Sequence, residues 1–201
     1  MNVSALFDIM QSRRSIRRYE DRPVPPEIVR RVLEAACWAP SAHNRQPWRF
    51  AVLTDPAWRV RLAEAMGQRF RVDLATDGLS AEQIEQRVAR SYQRISTAPV
   101  LIMLCLSMAD MDRYPDTRRQ EFERVMAVQS VSLAAQNLLL AAHAEGLGVC
   151  WLCAPLFCPD VVRDVLSLAE DWEAQALLTL GYPAEQRVSE RESVEAKTVW
   201  Y

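Results

Sequence analysis

The chain has 201 residues, 50% hydrophobic and 25% charged, with a formal net charge of −2. That size excludes a disordered tail or a mini-domain, and no Pro, Gly or Ser-rich linker divides the chain, so one domain over residues 1–201 is expected. The mildly acidic balance offers no sequence-independent nucleic-acid surface, although 23 of the 24 basic residues are arginine and Lys197 is the one lysine.

Asn2, Ser4 and Asp8 interrupt the first ten residues, unlike a secretory signal, and a cytoplasmic protein is expected. Its five cysteines, Cys37, Cys105, Cys150, Cys153 and Cys158, should then be reduced.

Asn2 to Gln11 places Val3, Leu6, Phe7 and Met10 at helical spacing and ends in a basic loop, Arg13-Arg14-Ser15-Ile16-Arg17-Arg18-Tyr19. Pro25 and Pro26 open a second helix, Ala39-Pro40 stops it, and Ser41 to Pro47 follow as a polar loop. Trp48 to Thr54 alternates as a strand, Asp55-Pro56 begins a helix to about Phe70, and Leu79-Ser80 caps another through Tyr92. Pro99 to Leu106 reads as a fully buried strand. Arg118 to Ala144 reads as one helix about 40 Å long, ended by Gly146. Its polar residues, among them Gln129, Ser132 and Gln136, argue against a lipid-facing span, so no membrane is expected.

Val149 to Cys153 is a short strand, Pro159 to Leu166 a helix and Ala174 to Gly181 another strand, closed by the turn Gly181-Tyr182-Pro183. Ser193 to Tyr201 reads as a last strand. Helices and strands mix without regular β-α-β alternation, which indicates the α+β class.

Gly146-Leu147-Gly148 lacks the third glycine and following helix of a dinucleotide fingerprint. Cys150-Trp151-Leu152-Cys153, with Cys158 and His143 nearby, admits a zinc or dithiol reading. Three core thiols on a buried strand are the simpler account, and no metal is expected. His43, in the polar loop, is better placed than His143 to face a pocket.

Two segments carry candidate chemistry. In the basic loop, forked guanidinium donors and a serine hydroxyl match the oxygens of one phosphomonoester, and a solvated basic run at a helix end is the alternative. Ala39 to Phe50 sets Ser41, Asn44 and Gln46 between stiffening prolines, an arrangement that holds polar groups around a planar heterocycle.

These runs, together with Glu145-Gly146-Leu147-Gly148-Val149-Cys150-Trp151 and Gly181-Tyr182-Pro183, resemble the FMN-dependent nitroreductase superfamily in order and spacing. The resemblance spans essentially the whole chain. Within it, Arg71 to Arg90 and Tyr114-Pro115-Asp116 are similar to the C-terminal nitroreductase-type domain of the bifunctional enzyme that matures the 8-hydroxy-5-deazaflavin coenzyme F-420, a glutamate ligase/FMN reductase. The similarity does not extend to its glutamate-ligase half.

The resemblance implies an α+β sandwich, a central sheet flanked by helices, forming an intertwined homodimer with FMN at the interface. It implies that Arg13, Ser15 and Arg17, with the adjoining Arg14, hold the FMN phosphate and ribityl chain, joined by Arg191 or Arg187. Pro40 and Ser41, with Asn44 and Gln46 nearby, reach the flavin ring from the partner subunit, and Trp151, Leu152, Cys153 and Ala154 pass close to it. The tail 193–201 is expected to pack across the partner.

The implied activity is electron transfer from NAD(P)H through FMN to a small flat aromatic acceptor, which the deazaflavin similarity narrows to a dehydro precursor. No catalytic side chain is assigned. The alternatives are a general nitroarene or quinone reductase, flavin fragmentation, reductive dehalogenation, and a non-enzymatic flavin or deazaflavin carrier.

Overall fold

The computed structural model describes residues 3–201, so Asn2, the expected first residue of the N-terminal helix, lies outside them. Four strands form one antiparallel sheet. They are β1 (Trp48–Leu53), β2 (Val100–Ser107), β3 (Gly148–Leu152) and β4 (Trp172–Gly181), in the spatial order β1-β2-β4-β3. Every residue of β2 is buried. Its two-residue alternation divides the core, because Val100, Ile102, Leu104 and Leu106 join one apolar cluster while Leu101, Met103 and Cys105 join another.

Each face of the sheet therefore requires a cover. α2 (Pro26–Cys37) and α5 (Thr117–Ala144) cover the first through residues such as Val32, Val131 and Leu138. α3 (Pro56–Thr76) and α6 (Pro159–Leu166) cover the second through Leu62, Met66 and Val162. The result is the expected sheet flanked by helices. α5 is long and apolar enough by composition to cross a membrane, and here Ala127, Ala134 and Ala142 lie in the core. Between β2 and β4, Leu104 faces Ala176 and Cys105 faces Ala174, which leaves Gln175 as a bulge residue.

Three elements differ from expectation. α3 runs six residues past Phe70, since Leu74 packs against Ile84 and Val88 of α4 (Ala81–Ser96) and only then does Gly78, at φ +79°, turn the chain. α4 continues beyond Tyr92 to Ser96 because Ile95 is buried beneath its last turn. No strand forms over 193–201. Glu195–Lys197 is a single 3-10 turn, Val199, Trp200 and Tyr201 are exposed, and the tail has no ladder partner among the described residues.

α1 (Val3–Ser12) buries none of its described residues and leaves Leu6, Phe7 and Met10 about half exposed.

Candidate functional site

The basic loop is laid along the free edge of β3. Ile16 N donates to Val149 O at 3.0 Å, and Ser15 bridges Val149 in parallel. Gly148 permits this approach, since a Cβ there would come within 2.7 Å of Ile16 Cβ. Downstream, the Tyr19 hydroxyl lies 2.6 Å from Ile16 O and 2.7 Å from Thr179 Oγ1. Burial raises the Tyr19 pKa further above its already high ordinary value, so this clamp stays protonated.

Glu185 closes the third side. Its Oε1 accepts from Arg17 N at 2.7 Å and its Oε2 accepts from Arg187 at 2.8 Å. Burial opposes the charged form of Glu185, but these bonds outweigh it and hold the carboxyl below its ordinary range. Arg187 is thus engaged with Glu185, whereas Arg191 stands within the field of Arg13.

Beyond Glu185, which meets the loop at the backbone of Arg17, the guanidinium groups gather here without an ion-pair partner among the described residues. Burial first, then the like charges of Arg191 and Arg14, lower the pKa of Arg13. Arg14 reaches Gln11 O at 2.5 Å and Ser189 O at 3.4 Å, yet its Nε is buried without a partner. Arg191 bonds to Ser189 Oγ at 2.9 Å and to Glu190 O at 2.8 Å. None of Arg13, Arg14, Arg17 and Arg191 pairs with a carboxylate among the described residues, although ten other ion pairs form. Like charges so placed repel, and an anion entering among them would relieve the repulsion.

The same field reaches His143 at the end of α5. Burial, Arg13 and Arg14 lower its pKa. The Ser12 hydroxyl donates to Asp8 O at 2.6 Å, which leaves its oxygen to accept from His143 Nε2 at 2.7 Å.

β3 then leads out into a cleft of about 660 Å³ walled by α3, α4 and the segment Trp151, Leu152, Cys153 and Ala154. Its size falls in the range of small-molecule sites. Trp151 Nε1 lies 3.0 Å from Cys153 Sγ, and Cys153 is exposed. Burial raises the Cys150 thiol, while the charges of Arg17, Arg94 and Arg13 act against that rise. Arg94 of α4 therefore belongs electrostatically to the site, and sequence reasoning missed it. Its available signal was the helical spacing Arg87, Arg90, Arg94.

All five cysteines are free, and among the described residues no three His, Cys, Asp or Glu side chains converge as a metal site.

The second candidate loop is built under strain. His43, Asn44 and Gln46 have φ of 51°, 55° and 50°, the left-handed region that non-glycine residues rarely occupy. Hydrogen bonds hold it there: Gln46 N donates to Ser41 Oγ at 3.0 Å, Ala42 N donates to Ser130 Oγ at 3.1 Å, and Arg45 pairs with Asp112. Asn44 and Gln46 are exposed, as is Pro40, and Ser41 is half-buried.

Within one chain the two loops do not meet at one end of the fold. Ser130, which holds the second loop, and His143, beside Arg13, are thirteen residues apart on α5, about 20 Å along the helix axis. The structure thus brings Arg13, Arg14, Ser15, Arg17 and Arg191 together at β3, with residues 151–154 on its outgoing end, and sets Pro40, Ser41, Asn44 and Gln46 apart.

Comparison with known proteins bears on the family and the fold. The model of the Nitroreductase family matches residues 10–182. A Thermus thermophilus protein named NADH dehydrogenase is 35% identical over 190 residues, covering 94% of this chain and 92% of its own. The 5,6-dimethylbenzimidazole synthase of Rhodospirillum rubrum is 32% identical over 203 residues, covering 92% and 90%. A nitroreductase-type protein from Desulfovibrio desulfuricans, solved in complex with FMN, superposes with a TM-score of 0.75 at 27% identity, covering 98% of this chain and 96% of its own. Joined to the antiparallel sheet with helices on both faces and the arginine loop on its edge strand, these matches show that the chain belongs to the nitroreductase family.

Proposed function

We propose that this chain is an FMN-dependent oxidoreductase that takes electrons from NAD(P)H and delivers them to a flat heteroaromatic acceptor. The observation that carries the reading is the gathering of Arg13, Arg14 and Arg191 with no carboxylate and with the buried Arg14 Nε unpartnered. A phosphomonoester supplies the missing charge and acceptors, and Arg13, Arg14, Ser15, Arg17 and Arg191 would hold it. When bound, FMN supplies hydride and electron exchange that no side chain offers. The chain's own part is to orient and shield. Residues 151–154 would border the ring, Trp151, Phe70 and Phe157 give the cleft apolar walls, and Arg94 adds positive charge to its lining.

A second copy of the chain completes this site in our reading, donating Pro40, Ser41, Asn44 and Gln46. Two observations support a homodimer. The loops lie at separate places along α5, and Leu6, Phe7, Phe122, Leu133, Trp200 and Tyr201 are exposed apolar residues beyond what a lone chain needs.

For the acceptor we infer a deazaflavin-type ring, supported by the likeness of Arg71 to Arg90 to the deazaflavin-maturing domain and by the place of that segment in the cleft wall. Steady-state oxidation of NADH and NADPH by the FMN-loaded protein tests the enzymatic reading. Turnover that accelerates with a dehydro-deazaflavin supports it in full, and turnover with simple quinones or nitroarenes alone replaces the acceptor. A flavin that binds but is not turned over indicates a carrier.

A further inference from the structure

α4 carries a polar row beside its buried stripe. Ile84, Val88 and Ile95 are buried, whereas Arg87, Arg90, Ser91 and Arg94 border the cleft at i, i+3, i+4 and i+7, which aligns them over about 10 Å of one helix face. A capping box sets this register: Gln83 N donates to Ser80 Oγ at 3.3 Å and Ser80 N donates to Gln83 Oε1 at 3.1 Å.

The nearby arginines divide into two kinds. Arg71 is bound in a fork to Glu85 at 2.7 and 3.0 Å, and Arg69 donates to Asp160 at 2.6 Å, so both are occupied within the fold. Arg87 and Arg90 form no ion pair among the described residues, even though Asp73 and Asp77 stand on the facing wall of the cleft. An interface built for internal ion pairing would have closed these contacts as it closed Arg71 with Glu85. Their forked donors remain unspent, so an anion that enters the cleft finds its donors on the α4 wall and not on the wall of Asp73 and Asp77.

Direction follows from Arg94. It shares the field at Cys150 with Arg17 and Arg13, so the row begins beside the arginine cluster and Arg87 stands seven residues farther out. We propose that Arg87 and Arg90 form an anion subsite on the α4 wall, which selects redox partners carrying a phosphate or carboxylate on a tail that extends away from the end of the cleft bordered by Trp151–Ala154. This rests on the reading of the cleft as the redox site. The anion can belong to the nicotinamide donor or to an acidic acceptor, and the chemistry recognised is the same.

The test compares the flavin-loaded wild type with the double variant Arg87→Gln and Arg90→Gln on two pairs of substrates differing in charge. One pair is NADPH and NADH, and the other is N-(4-nitrobenzoyl)-4-aminobutyrate and its methyl ester. The wild type should favour the charged member of at least one pair by about tenfold in kcat/KM, the scale of one charge-assisted hydrogen bond. The double variant should lose that preference while staying within about twofold on the less charged member. A response in the first pair places the tail on the donor, and in the second on the acceptor.

Titration calorimetry of the nitrobenzoyl carboxylate reads the subsite without turnover, with binding about tenfold weaker in the variant. This arm stands even if no electron transfer is found, which would sink the oxidoreductase reading instead. Equal kcat/KM within both pairs for wild type, a preference that survives the double substitution, or loss of flavin from the variant would each overturn the subsite.

Discussion

Glu185 accepts a hydrogen bond from the backbone N–H of Arg17 at 2.7 Å, joining residues 168 apart in sequence. The loop that presents the arginines is therefore held by the segment after β4 as well as by β3. Glu185→Ala should cost about 1–3 kcal/mol of stability, the usual penalty for orphaning such donors, and should weaken FMN binding by loosening Arg17. Because the folded carboxyl lies below its ordinary value of 4.5, its contribution is present above about pH 4.5 and is lost as pH falls further. Urea unfolding at pH 7 and pH 3.5 checks the sign: the gap between wild type and variant should shrink at the lower pH.

His143 reports on the charge beside it. Burial and the fields of Arg13 and Arg14 hold it below its ordinary 6.5, so the folded chain binds fewer protons there. The stability this contributes is present above about pH 6.5 and declines as pH falls below it. An anion among the arginines offsets their field and raises the His143 pKa, so anion binding takes up a proton and tightens as pH falls. NMR titration of the imidazole with and without saturating FMN should show the rise, and an unchanged midpoint would place the phosphate elsewhere.

The cysteines should separate by environment. Burial pushes Cys105 up to about 12 and Cys158 up to about 11, and raises Cys150, whereas Cys37 and Cys153 are exposed. A thiol reagent at pH 8 should modify two thiols in the native protein and five after denaturation. FMN should slow the reaction at Cys153 and leave Cys37 unaffected.

Much of this was legible in the sequence because the fold uses local rules. Unbroken apolar character marked β2, and Pro25-Pro26, Asp55-Pro56 and Ser80 marked helix starts that the structure shares. What stayed hidden depends on contacts distant in sequence. The length of α3 is decided by Leu74 meeting α4, and the left-handed turns at His43, Asn44 and Gln46 by Ser130 and Asp112. The arginine-rich loop is legible in the sequence as a candidate anion site, but only folding brings Arg94 into the same field and engages Arg187 with Glu185. The tail reads as a strand in the sequence, and among the described residues of a single chain it has no partner strand.

That tail carries the quaternary prediction. Val199 is 72% and Trp200 86% exposed, costly positions for apolar side chains in water. Deleting residues 194–201 should convert the proposed homodimer to a weaker or monomeric species in sedimentation and lower its FMN content. A truncated chain that remains fully dimeric with full flavin would show the tail dispensable.

The most direct test of the central claim is the visible spectrum of the purified protein, wild type beside Arg13→Ala. We expect a yellow protein with about one FMN per chain, bleached by reduced nicotinamide without oxygen. In the variant FMN should bind more weakly by about 1.5–3 kcal/mol, the worth of a charged hydrogen bond. A colourless wild type that fails to bind added FMN, or an Arg13→Ala variant that binds it equally well, would contradict the account.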